Sequence, residues 1–155
     1  MPRGDAGGGL ATIARAEEQF VERTAGAFEA YVIKAIASAQ RGAIDEALAA
    51  IEEIPEVGLD HPFSRTGAAL VASLSGDAVT AVREAESVAG TAGATYLDRA
   101  IAAVAAAGAY ASLHEAHAAC EVLDTALTES LTVGDVVAVA LLQRTHLHVI
   151  GTAHA

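Results

Sequence analysis

Apolar and small residues gather in stretches separated by glycine, proline and acidic residues, and within each stretch they recur at three- and four-residue steps. Residues three and four apart share one face of an α-helix, so the pattern predicts a chain of amphipathic helices. Residues 1–9 are Gly-rich and polar with nothing to bury, which predicts a disordered tail. Leu10, Ile13, Phe20 and Val21 among charges predict a first helix to about Thr24, broken at Gly26. Helix pairs are then expected over 28–41 with 43–54, 62–74 with 77–90, and 95–109 with 112–130, followed by a last helix over 132–150. Pro55 and Pro62 bracket a longer connection after the first pair. Residues 10–155 are read as one domain.

The pairs are copies of one another. Ala47, Ala81 and Ala116 stand 34 and 35 residues apart, and small residues recur in the same register at Ser38, Ala72 and Ala107 and at Ala35 and Ala69. Toward the C-terminus the register continues through Ile51, Ala85 and Cys120, then Ile54, Val88 and Leu123. Self-similarity at such a period is the signature of a helical-repeat architecture, in which each pair buries its apolar face against its neighbours. The expected fold is therefore all-α: an antiparallel helix-hairpin solenoid of seven or eight helices, with 132–150 as the first helix of a fourth, incomplete unit.

A helix–turn–helix period of 34 residues with small residues at these offsets, together with Gly42, Asp45, Glu46, Ala47 and Leu48, resembles the tetratricopeptide repeat. Tyr31 falls where that repeat carries its first bulky aromatic, and Arg65 and Ala100 stand at that place in the later units. The segments 96–101 and 133–140 are also similar to the C-terminal repeat regions of large actinobacterial regulators. The resemblance implies a protein-binding scaffold or regulatory module whose concave groove is lined by first helices. Its groove positions carry over to Val32, Ile36 and Gln40, to Thr66, Leu70 and Leu74, and to Ile101, Ala105 and Ala109. That row is apolar, which suits an amphipathic helix or peptide, either of a partner or the chain's own segment Leu10 to Val21 folded back into it.

Composition sharpens this. Of 155 residues 39 are alanine, only 4% are aromatic and none is tryptophan, which argues against a β-sandwich or barrel and predicts a thin core. The net charge is −11 with a single lysine, so neither nucleic acid nor an anionic membrane surface is an expected partner. The longest uncharged apolar run, 101–113, is too short to span a bilayer. Cys120 is the only cysteine and cannot form an internal disulfide, as expected of a cytoplasmic protein.

No catalytic pattern emerges, and a non-catalytic protein without cofactor or metal is expected. The stretch 90–94 lacks the lysine and the spacing of a phosphate-binding loop. Histidines His114 and His117 with Glu121 would share a helix face beside Cys120, and a small metal-binding protein or enzyme using that face is the alternative reading. Cys120, however, occupies the repeat position of Ile51 and Ala85, where a small apolar residue belongs. The last helix has apolar residues on nearly every side. A terminal helix with no neighbour should show water a polar face, so Val137, Leu141, Leu142 and Val149 are expected to be covered, by the same helix of a second chain in a homodimer or, as the alternative, by further repeats of a longer protein.

Overall fold

A computed structural model describes residues 28–153, and these residues are all-α with no strand among them. The helices are α1 Phe28–Gln40, α2 Ile44–Glu52, α3 Glu56–Leu59, α4 Pro62–Ser75, α5 Ala78–Ala89, α6 Tyr96–Ser112, α7 Ala116–Val133 and α8 Val136–Ala153. The expected tail 1–9 and the helix expected over 10–24 lie outside the described residues.

The hairpins α1–α2, α4–α5 and α6–α7, and the joint between α7 and α8, turn by one device. A residue one or two positions past the end of α1, α4, α6 and α7 takes a left-handed conformation, with φ of 82° at Gly42, 86° at Gly76, 62° at His114 and 73° at Gly134. The next N–H then reaches back to the carbonyl five residues earlier: Ala43 to Ser38, Asp77 to Ala72, Glu115 to Tyr110 and Asp135 to Ser130, at 2.9 to 3.0 Å. This bond satisfies carbonyls that a helix end leaves without partners. Glycine supplies the positive φ at three of these turns, and His114 does so at the fourth.

Helices α4, α5, α6 and α8 start on side-chain caps, whereas α2 and α7 do not. Asp77 accepts the Thr80 N–H, a bond that holds its carboxyl below the usual carboxylate range. Thr95 and Asp98 cap each other's backbone N–H at the start of α6, and Pro62 opens α4, where its missing N–H costs nothing.

Successive first helices stack α1 on α4, α4 on α6 and α6 on α8, while α2 lies on α4, α5 on α6 and α7 on α8. Helix α8 thus meets α6 and α7 as α6 meets α4 and α5, making it the first helix of a fourth unit. The register is visible in burial. Val32, Thr66, Ala100 and Ala138 are each 0% exposed, at spacings of 34, 34 and 38 residues.

The second helices give Ala47, Ala81 and Ala119, all 0% exposed, whereas Ala116 is half-buried in the first turn of α7. The spacing expected for Ala116 is therefore three residues short. Helix α6 has 17 residues against 13 in α1 and 14 in α4, and the added turn delays the hairpin from the expected 110–111 to His114.

The core is as thin as composition predicts. Among the described residues most buried apolar side chains are alanines, and the largest fully buried ones are Leu123, Leu142, Val32, Val71 and Val88, with no aromatic among them. Backbones come close in exchange: a Cβ on Gly67 of α4 would lie 2.5 Å from Val32 Cγ1 on α1.

Candidate functional site

The row expected to line a concave groove divides three ways. Val32, Thr66, Ala105 and Ala109 are buried, Ile36, Leu70 and Ile101 are half-buried, and Gln40 and Leu74 are exposed. Val32 and Thr66 sit in the seam between consecutive first helices, where the Thr66 hydroxyl donates to the Pro62 carbonyl at 2.8 Å. These buried members hold the stack together and offer nothing to a partner. In the third unit the expected row is also one residue out of step, since Ala100, not Ile101, is equivalent to Thr66 and Val32.

The four residues expected at a dimer interface divide as well. Leu142 and Val149 are buried against the preceding helices, Leu141 is half-buried, and Val137 is 66% exposed. The outer face of α8 consists instead of Val136, Val137, Ala140, Leu147 and Ile150 with Gln143 and Arg144 at its middle, continued by Leu131 and Val133 at the end of α7. Leu147 is 73% exposed, and α8 contains no Asp or Glu over its 18 residues. No helix among the described residues is long and apolar enough to cross a membrane.

The histidine face does not form. His114 lies in the turn before α7, His117 is exposed on the first turn, and Cys120 is half-buried against the core around Leu123 and Leu142. Among the described residues no three His, Cys, Asp or Glu side chains stand together as ligands for a metal ion.

Two clefts open on the side of the stack lined by second helices, and the repeat places them equivalently. The larger, about 380 Å³, lies between α5 and α7 over α6. Arg99, Ala103, Ala106 and Tyr110, at steps of three and four, make its floor. Ala85, Glu86 and Ala89 form one wall, and Ala118, Glu121, Val122 and Glu129 contribute to the other. The smaller, about 230 Å³, lies one unit earlier, with Ser64, Arg65 and Ala68 on the floor, Ile51 and Ile54 on one wall and Glu84 on the other.

Arg65 and Arg99 are 34 residues apart and occupy the same place in their helices. Arg65 donates to Asp60 at 2.5 Å and Glu84 at 3.0 Å, and these carboxylates raise its already high pKa. Arg99 reaches Glu129 only at 3.7 Å and the Thr91 carbonyl at 3.4 Å, and its Nε has no hydrogen-bond partner among the described residues. The position of Glu84 is held by Val122 in the next unit, so Arg99 lacks the near carboxylate that Arg65 has.

The size difference also has a sequence cause: Ala85 stands where the preceding unit has Ile51, and the missing side chain leaves open space. Two signals could have marked this cleft beforehand, the Ile51-to-Ala85 step and the recurrence of arginine at a 34-residue interval. Comparison with known proteins gives no matching family model, curated protein or solved structure.

Proposed function

We propose that the protein is a non-catalytic interaction module of tetratricopeptide type, serving a bacterial regulator, and that it works as a homodimer joined through the outer face of α8. The observation that carries this reading is the run of exposed apolar side chains Val136, Val137, Ala140, Leu147 and Ile150, interrupted by Gln143 and Arg144, on a helix free of acidic residues, in a chain whose net charge is −11. A second copy would meet long-range repulsion over most of its surface, and this face avoids it.

The face is also complementary to itself. Antiparallel pairing of two α8 helices about a dyad between Gln143 and Arg144 sets Val137 against Ile150 of the other copy and small Ala140 against large Leu147. Self-complementarity of this kind closes a two-fold dimer. The half-buried Cys120 suits a reducing compartment such as the cytoplasm.

Sedimentation equilibrium at micromolar concentration tests the proposal. The expected mass is twice the 15.6 kDa of one chain. Leu147→Glu should give a folded monomer, because Leu147 faces outward, whereas a charge at buried Leu142 would damage the fold itself. A parent protein that stays soluble and monomeric refutes the dimer.

A further inference from the structure

The larger cleft specifies an occupant by shape and by charge. Ala85, Ala89, Ala103 and Ala106 offer it only methyl groups, and from Arg99 to Tyr110 the floor runs three turns of α6, about 16 Å. The space is therefore long, narrow and apolar. At about 380 Å³ it falls within the range of small-molecule sites.

Its charges do not cancel. Arg99 has one carboxylate within reach, Glu129 at 3.7 Å, while Glu86 on one wall and Glu121 on the other have no cationic partner among the described residues. The equivalent cleft one unit earlier lacks both properties: Ile51 and Ile54 narrow it to about 230 Å³, and Arg65 engages both of its carboxylates.

We propose that the cleft between α5 and α7 binds a linear aliphatic polyamine. Its methylene segments lie on the alanine floor, its ammonium groups stand at Glu86 and Glu121, and the Tyr110 ring closes one end, where a cation is attracted to the aromatic face. An anion would face an excess of carboxylates, and a monoamine would leave one of the two uncommitted walls unmatched. The inference is independent of dimer formation, since none of these residues lies on α8.

Calorimetric titration with spermidine at about 150 mM salt tests it, where diffuse attraction between surface charges is screened within ~8 Å. Saturable 1:1 binding is expected, weakened roughly three- to tenfold by Glu86→Gln and by Glu121→Gln, in keeping with partly exposed charge-assisted contacts. Glu52→Gln, which removes an exposed carboxylate outside the cleft, should change nothing. Ala118→Leu, at a half-buried wall position, should abolish binding without lowering the melting temperature, and Leu147→Glu should bind as the parent does. The proposal is overturned if spermidine gives no saturable heat, if the two cleft variants bind as tightly as the parent, or if magnesium ion at equal charge competes as well as spermidine.

Discussion

Glycine and alanine set how close these helices come, and two glycines show how differently one added methyl group can act. At Gly67 a Cβ would meet Val32 Cγ1 at 2.5 Å in a seam where both residues are buried, and neither backbone can retreat without disturbing α1 against α4. At Gly108 the nearest atom is the Ser73 hydroxyl at 2.7 Å, the end of a side chain that can rotate away, and the position is exposed. Alanine is favoured over glycine in a helix interior by about 1 kcal/mol. Gly108→Ala should therefore leave the melting temperature unchanged or raise it, while Gly67→Ala should cost about 1 to 3 kcal/mol, the usual penalty for overpacking. Thermal melts of the two variants side by side check this, and equal melts would mean that the α1–α4 seam is looser than described. At this scale the sequence is informative about size and poor about partners. Small residues at 35, 38, 69 and 72 announce close helices, yet nothing in the chain tells that Thr66 faces a seam rather than a groove, because valine, threonine and alanine serve equally well in either place.

Helix positions were legible from periodicity, and the larger of the two errors in register, the one in α7, has a physical origin. Alanine occupies 116, 118 and 119, so an alignment that looks for alanine at this place finds one in either frame. What decides the frame is the length of α6, and the chain carries no glycine at 111 to mark where the helix should stop. Its left-handed turn falls on His114 instead. Two substitutions separate the frames. Ala119→Leu places a large side chain at a site that is 0% exposed and should cost about 1 to 3 kcal/mol, whereas Ala116→Leu at the half-buried start of α7 should stay within about 0.5 kcal/mol of the parent. Denaturant midpoints would show it, and the reverse order would restore the 35-residue spacing. The same mechanism hid the cleft: its floor is an alanine face of α6 that periodicity marks as core, and only the lengths of the facing side chains leave it open.

For the whole molecule, charge and apolar surface pull in opposite directions, and salt separates them. Two copies at −11 each repel at a distance, while the face proposed to join them carries no acidic residue and holds Arg144 as its one charged side chain other than histidine. Added salt shortens the screening length from ~30 Å at 0.01 M to ~8 Å at 0.15 M, which removes repulsion and leaves apolar burial nearly untouched. Dimerisation through α8 should therefore tighten as salt rises over this range. An interface built from ion pairs would weaken instead, because the charges that hold it are the ones being screened. Spermidine binding in the cleft should follow that second course, since ammonium groups and the Glu86 and Glu121 carboxylates attract through the same screened field. Measured on one preparation, association by sedimentation and spermidine affinity by calorimetry should move in opposite directions with salt. If both weaken together, the dimer contact is polar and α8 is not its centre.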